Sequence, residues 1–480
     1  MKTWQGKLTA IFVAMVLAGC ASMNDKGNAA VEKDPDYLEA HRSLTGVPVS
    51  SADAWPVSNW WTNLHDEQLN QLMNEAFAES PTLKIAAARV RKAMAFADTS
   101  KSTLYPQLNT SLQVTRERFS ENGLVPPPLG GTWATDHELQ ATLSWDADFW
   151  GKHRADYTEA LGLARATTIE ASATRLALSV NIAQTYIQLQ RAFDQLDVAE
   201  QNLKDREHIY KLTKERNQAG IDSVLELKQT EANLPVARQQ MIQLKETIQL
   251  YRNQLAALIG QGPDRGLSIA RPALTNLGAL KLPSTLPAEL IGRRPDLAAQ
   301  RARIEASTQG IKSAKADFYP NINLVTFVGL QSLTGAEFLK SASRTAGIGP
   351  AITLPIFNGG RLRANLEGKH ADYDVAVEEY NQLLVNSIKD VVDQVASLQS
   401  IDAQRKEHAK TLSVTSEAYE LARLRYKEGV GNYLQVLSAE APLLTQKSLN
   451  ADLQARQLMA SVNLIKALGG GFDEKSISSD

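Results

Sequence analysis

Asp146 and Asp148 stand two residues apart and are the nearest approach in the sequence to a paired-carboxylate acid and base. Their spacing puts both on one face of a β-strand, where the expected role is to line a polar wall. His41, His65, His137, His153, His208, His370 and His408 show no pair at metal-ligand spacing, so each reads as a surface or interface residue. Neither a Gly-rich phosphate loop nor a nucleophile elbow occurs. No catalytic residue, metal or cofactor is expected, and the chain does not read as an enzyme. Cys20 is the only cysteine, which removes a disulfide framework and any thiolate metal site.

The chemistry of that thiol belongs to the N-terminus. Lys2 and Lys7 precede an apolar stretch over residues 8–18 that runs into Gly19-Cys20. This is the layout of an export signal; a bilayer span needs about 20 apolar residues. Leu17-Ala18-Gly19-Cys20 resembles the bacterial lipoprotein box. The resemblance implies cleavage between Gly19 and Cys20, a diacylglycerol on the Cys20 thiol and, with Ala21 following, an outer-membrane address. Composition narrows the partners. Lys and Arg number 51 against 53 Asp and Glu, a net charge of -2, so a nucleic-acid partner is not expected. Hydrophobic residues make up 43% and mean hydropathy is -0.26, and no long apolar run follows the N-terminus, which excludes a polytopic helical membrane protein.

The chain is written twice at an offset of about 210 residues. Pro81-Thr-Leu83, Arg89 and Tyr105-Pro106 match Pro295-Asp-Leu297, Arg303 and Tyr319-Pro320. Arg216-Asn-Gln-Ala-Gly220 matches Arg425-Tyr-Lys-Glu-Gly429, and Leu258-Ile-Gly260 matches Ala467-Leu-Gly469. Each copy reads as one helix, two strands, a long helix, a tight turn and another helix. The strands show period-2 alternation. Leu108, Thr110, Leu112 and Val114 share one face, and Trp133, Leu139, Ala141, Leu143, Trp145, Ala147 and Phe149 continue it on the next strand. In the second copy Ile322, Leu324, Val328 and Leu330 are followed by Ile348, Ile352, Leu354 and Ile356. Such strands suit a membrane barrel with a wet lumen, or a soluble sheet with one buried face. The lipoprotein signal favours the barrel.

Four strands cannot close in lipid, so the chain must oligomerise; a dimer would give eight strands and a trimer twelve. The helices supply a second measure. Long helices are expected over about 154–215 and 361–427, each roughly 90–100 Å. Leu178, Ile182, Thr185, Leu189, Ala192, Leu196, Ala199 and Leu203 form a coiled-coil stripe on the first, and Leu384, Ile388, Val391, Val395 and Leu398 form one on the second. Helices of about half that length are expected over 69–100 and 223–258, to stack end to end into a second rod.

Several motifs run in a specific order. They are Trp60-Trp61 with Asp66, Leu69 and Leu72; Arg293-Arg-Pro-Asp-Leu297; Phe318-Tyr-Pro320; Leu354-Pro-Ile-Phe-Asn-Gly-Gly360 with Arg361; and Arg425-Tyr-Lys-Glu-Gly-Val430 with Asn432-Tyr433-Leu434. Together they cover nearly the whole mature chain and resemble the outer membrane factor family, the TolC-like channels of tripartite efflux pumps, in its NodT-like lipoprotein branch. The resemblance implies an α+β membrane protein: a homotrimer with a twelve-stranded outer-membrane barrel, four strands per chain, continuous with a long periplasmic helical barrel. It implies a passive exit duct for small molecules, anchored in outer-membrane lipid and driven by an inner-membrane pump through a periplasmic adaptor. A duct for secreted protein, and a periplasmic coiled-coil adaptor or structural lipoprotein, are the alternatives.

The expected division is a signal peptide (1–19), a lipidated segment and belt (20–65), a first repeat (66–260), a linker (261–287), a second repeat (288–470) and a tail (471–480). Tyr105, Pro106, Gly151, Tyr319, Pro320, Asn358, Gly359 and Gly360 are expected at strand–helix corners. The helix–helix turns carry Arg216, Gly220, Asp222 and Glu226 in the first copy and Arg425, Gly429, Val430, Asn432 and Tyr433 in the second. The resemblance makes them the periplasmic gate and adaptor-docking tip. Gly431, Gln435 and Ser438 stand where many members carry acidic residues. Asp222, aligned with Gly431, reads either as a cation-attracting ring supplemented by Glu226 or as the cap of the following helix. Arg216 and Arg425 are expected to hold the turns through ion pairs.

Overall fold

The computed structural model describes residues 25, 27–34, 49–50, 55–274, 282–283 and 292–474. Gly19, Cys20 and His41, with much of the linker and the end of the tail, lie outside the described residues. In chain order the elements are β1 (Val49–Ser50), α1 (Glu67–Glu79), α2 (Pro81–Ser102), β2 (Gln107–Arg118), β3 (Trp133–Asp146), α3 (Lys152–Gln218), α4 (Val224–Leu258) and α5 (Pro263–Leu267), followed by β4 (Leu282–Pro283), α6 (Pro295–Ala316), β5 (Asn321–Ser332), β6 (Arg344–Thr353), α7 (Arg361–Lys427) and α8 (Tyr433–Ala467). Four of the five paired elements agree in length, while β3 has 14 residues and β6 has 10. α2 and α6 have 22 residues each, β2 and β5 12, α3 and α7 67, and α4 and α8 35. No helix among the described residues is long and apolar enough to cross a membrane.

Two compact units divide the chain. One takes Met1–Glu32, Arg89–Thr167 and Ala299–Tyr380; the other takes Lys33–Ala88, Thr168–Ala298 and Asn381–Asp480. The first holds an antiparallel sheet in the order β2-β3-β5-β6. Beside the sheet, helices approach at small residues: a Cβ on Gly162 of α3 would lie 2.9 Å from the Ala306 Cβ of α6. The second unit contains the parallel pair β1 and β4 and the larger core. Leu178, Ile182, Ala192, Leu189 and Leu196 of the α3 stripe are buried there with Trp60, Leu64, Leu69, Leu72 and Leu255. The Asp66 carboxylate caps α1 at Leu69 N (2.9 Å), and it also accepts from the Tyr186 hydroxyl (3.0 Å) and Ala273 N (2.8 Å). The Trp60-Trp61-Asp66 motif is therefore core and cap.

Two expectations from sequence need correction. The helix expected over 69–100 is two helices, because Ser80 is extended (φ -57, ψ 123) ahead of Pro81, and a residue before proline is pushed out of the α region. The strands also end early. β3 stops at Asp146, leaving Ala147, Asp148 and Phe149 outside it, and β6 stops at Thr353, before Leu354, Pro355 and Ile356. Asp148 has φ 43, so it turns out of the pleat and cannot share a strand face with Asp146.

Turned this way, the Asp148 carboxylate accepts from His153 N (2.9 Å) and Arg154 N (3.1 Å), two orphan donors in the first turn of α3. Asp148→Ala is expected to cost about 1 kcal/mol and Asp148→Asn much less. Equal melting temperatures for the two variants would contradict the capping role.

Candidate channel and tip

The ladder registers decide which side chains share a sheet face. Leu112 pairs with Leu139 and Leu139 with Leu330; Leu108 pairs with Leu143, and Ile322 with Ile352. These residues, with Val114, Trp145, Val328 and Ile348, make one apolar face. Leu108, Leu112, Val114, Val328, Ile348 and Ile352 are all exposed on it. The opposite face carries Asn109, Ser111, Gln113, Gln140, Thr142 and Asn323. β5 and β6 dilute its polarity: Val325 and Phe327 sit there, and a Cβ on the facing Gly347 would lie 2.6 Å from the Phe327 ring. Among the described residues nothing pairs with the outer edges of β2 and β6.

Charge follows the same division. Glu117, Asp136, Glu138 and Asp146 lie on the polar face, while Arg116, Arg118 and Arg344 lie on the apolar one. Gln331 donates to Asp136 (2.9 Å). Asp146 accepts from Asn321 (2.7 Å) and lies 3.0 Å from His153 Nε2. Asp146 ties a corner and Asp148 caps a helix.

The corner residues lie where strands meet helices. Trp150 stacks on Tyr319 at 4.7 Å and donates to Pro320 O (2.8 Å). Gly151 (φ 74), Gly359 (φ 61) and Gly360 (φ 90) have left-handed backbones just before α3 and α7. Asn358 O accepts from Arg361 N (3.2 Å) across the second of these turns. Tyr105 and Pro106 separate α2 from β2.

At the other ends of the long helices, Gly220 (φ 74) and Gly429 (φ 78) close matching turns. Ile221 N returns to Arg216 O (2.9 Å) and Val430 N to Arg425 O (3.0 Å). The two turns differ in what holds them. The Arg216 guanidinium grips Asp222 with Nε–Oδ2 at 2.9 Å and Nη2–Oδ1 at 3.0 Å, donates to Tyr426 O (3.0 Å), and lies 4.6 Å from the Tyr426 ring. The Tyr426 hydroxyl donates to Asp222 Oδ2 (2.6 Å) and meets Thr213 Oγ1 at 2.7 Å. Side-chain exposure is 11% for Arg216 and 8% for Asp222. Burial pushes the Asp222 carboxyl up, but hydrogen bonds from Arg216 and Tyr426 outweigh it and hold the group below its ordinary value. Burial and the carboxylate beside it push Tyr426 up to about 12.

Asp222 thus neither caps α4 nor presents a free charge. Ser223 is the cap, and Glu226 accepts from its backbone N–H and hydroxyl, both at 2.6 Å. Arg425 departs from expectation. It reaches only Val430 O (3.4 Å) and has no ion pair among the described residues, because Gly431 offers no carboxylate. Asn432 caps α8 at Gln435 N (3.0 Å). Tyr433 is buried in the tip and accepts from Asn233 (2.8 Å).

A family model described as outer membrane efflux protein matches residues 72–261 and again 286–470. The chain belongs to the outer membrane efflux protein family. Among its relatives, fusaric acid resistance protein FusA of Burkholderia cepacia is 37% identical over 76% of this chain and 69% of its own. Multidrug resistance outer membrane protein MdtP of Escherichia coli K12 is 31% identical over 93% and 94%. The solved outer membrane protein VceC of Vibrio cholerae is 35% identical, covering 87% of this chain and all of its own at a TM-score of 0.80. The Campylobacter jejuni outer membrane channel CmeC, at 23% identity, shares the fold over 95% and 96% with a TM-score of 0.83.

For an outer-membrane efflux protein the acidic strand face has a measurable consequence. Changing Asp136 and Glu138 to Asn and Gln is expected to move the cation-to-anion permeability ratio in a planar bilayer toward unity. An unchanged reversal potential would show that this face does not line the pore.

Sequence reasoning missed Tyr426 and Thr213 at the tip. Tyr426 sat inside the Arg425-Tyr-Lys motif, and the only available signal was an aromatic residue beside an arginine aligned with Arg216. It also left the Arg293-Arg-Pro-Asp motif without a role. Arg294 holds Asp296 at 2.7 and 3.0 Å and donates to Ala467 O (3.2 Å), so this motif joins the start of α6 to the end of α8.

Proposed function

We propose that three copies of this chain close a twelve-stranded outer-membrane barrel, with the hairpin ends of the strands outside and α3, α4, α7 and α8 forming a periplasmic helical barrel. The observation that carries this is the sheet: an exposed apolar face on four strands whose outer edges, β2 and β6, have nothing paired to them. In lipid each unpaired backbone group would cost several kcal/mol, so identical copies must join edge to edge. The equal lengths of four of the five paired elements support an internal duplication.

Within that assembly the chain is a passive exit duct for small, drug-like molecules. The names of MdtP and FusA support this cargo class. Energy comes from an inner-membrane pump, reached through a periplasmic adaptor. The turns around Arg216, Gly220, Asp222, Glu226, Arg425, Gly429, Val430, Asn432 and Tyr433 are the gate and docking tip, and exposed Ile221, Leu225, Val430 and Leu434 give an adaptor apolar surface there. The lone Cys20 carries the lipid, and residues 31–65, the linker and the C-terminal tail form a belt, in keeping with the β1–β4 pair.

Intact mass of the detergent-solubilised complex tests stoichiometry and anchor together. Three chains, each cleaved before Cys20 and carrying acyl mass, are expected. A stable membrane-inserted monomer would sink the barrel, and an unmodified Cys20 would sink the anchor.

A further inference from the structure

Arg116, Arg118 and Arg344 have no use in a conduit, since they point away from the polar face. Every charged residue on the apolar face of the four strands is one of these arginines, and every charged residue on the other face is a carboxylate. Arg116 and Arg118 lie at the last turns of β2 before its hairpin, and Arg344 is the first residue of β6 after the second hairpin. All three therefore belong to the hairpin end of the sheet. Trp133, paired with Arg118, is exposed on the same face. Arg118 lies 3.2 Å from Glu121, with both side chains more than half exposed, so that contact is weak. Among the described residues Arg116 and Arg344 have no acidic partner.

Edge position brings the arginines together. In the order β2-β3-β5-β6 the free edges are β2 and β6, so any ring of identical copies sets β2 of one beside β6 of the next, antiparallel, with both hairpin ends on the same side. Each seam then collects Arg116 and Arg118 from one copy and Arg344 from its neighbour. Like charges on adjacent strands repel, and an arginine on the lipid face is costly at the midplane but tolerated at the interface. Both facts call for an anion at the outer boundary of the apolar band. Guanidinium groups bind phosphate oxygens bidentately.

We infer that each seam between copies binds the phosphate-bearing headgroup of an outer-leaflet glycolipid, with the acyl chains lying on the adjacent apolar face. This rests on the closed barrel proposed above. Continuity with the apolar band favours a lipid over a soluble anion, because a phosphate held there brings its chains onto Val114, Leu112 and Leu139.

Native mass spectrometry of the delipidated full-length complex tests it. The probes are bis-phosphorylated lipid A, the same lipid freed of its phosphates, and inorganic pyrophosphate. The wild-type complex should retain up to one bis-phosphorylated lipid per seam, at least tenfold more than the dephosphorylated form, and pyrophosphate should not displace it. Arg116→Gln with Arg344→Gln should lose that preference, and Arg116→Lys should keep part of it. Equal retention of the two lipids, or an undiminished preference in the double variant, would overturn the proposal, as would displacement by pyrophosphate. The protein mass keeps the two readings apart: three-chain complexes without lipid preference refute only the seam site, whereas loss of the three-chain mass refutes the barrel and the seam with it.

Discussion

Arg216→Ala is expected to loosen the helix–helix turn and leave the rest of the chain folded. The variant removes a bidentate grip on Asp222 and the donor to Tyr426 O, and leaves an 8%-exposed carboxylate with the Tyr426 hydroxyl as its only side-chain donor. Charge-assisted hydrogen bonds of this kind contribute about 2–3 kcal/mol when the partner is left stranded. That is about 30- to 150-fold in a local opening equilibrium. The amide of Ile221, bonded to Arg216 O, reports it by hydrogen exchange.

Arg425→Ala, at the aligned position of the second copy, is expected to have little effect, since Arg425 reaches only one carbonyl at 3.4 Å. Equal acceleration by the two variants, or none in Arg216→Ala, would show that the grip is not what holds the turn. The pH dependence has a definite sign. A carboxyl held below its ordinary value of 3.8 stabilises the folded turn above that pH, and the contribution is lost only as pH falls through the depressed value. Protection at the tip should therefore survive to about pH 4 and fail below it. Asp222→Asn should loosen the turn without changing ion selectivity, because the wild-type carboxylate is already neutralised by Arg216.

Gly469→Ala is expected to be the most destabilising alanine substitution among the described glycines. Its φ is +89, and a Cβ there would lie 1.8 Å from Arg293 O and 2.7 Å from Arg293 C. Backbone on both sides of the contact belongs to the joint between α8 and α6, where Arg294 already holds Ala467 O, so relief requires the two helix ends to part. A cost of about 4 kcal/mol or more follows. Gly260 occupies the same place in the first copy, with φ +82 and Glu79 O at 2.9 Å from its would-be Cβ. Its alanine variant should be damaging but less so. Gly262→Ala, with nothing within 4 Å and φ -73, should cost no more than about 1 kcal/mol, the loss of a glycine N-cap on α5. Ranking the three by thermal unfolding of the assembled protein checks the argument, and a Gly469→Ala protein as stable as Gly262→Ala would refute it.

Local period determined much of this protein from the sequence alone. Alternation in β2 and β3 assigns Leu108, Leu112, Leu139 and Leu143 to one face because a pleated strand has no other option, and the registers keep them there. A proline-free helical pattern foretold α7 over Arg361–Lys427, and the stripe from Leu178 to Ala199 marked residues that are buried. Offset matching paired Gly220 with Gly429 and Gly260 with Gly469, all of which have left-handed backbones. The tertiary structure decided what these places do. Asp222 and Tyr426 are 204 residues apart, and nothing in a one-dimensional pattern shows which of two aligned arginines will find a carboxylate. Asp148 looked like part of a strand until its positive φ turned it toward the first amides of α3. Arg294 gained a role only when the end of α8 came back to the start of α6. Periodicity is set by the backbone of one segment, whereas a hydrogen bond or a Cβ clash is set by whichever distant segment arrives beside it.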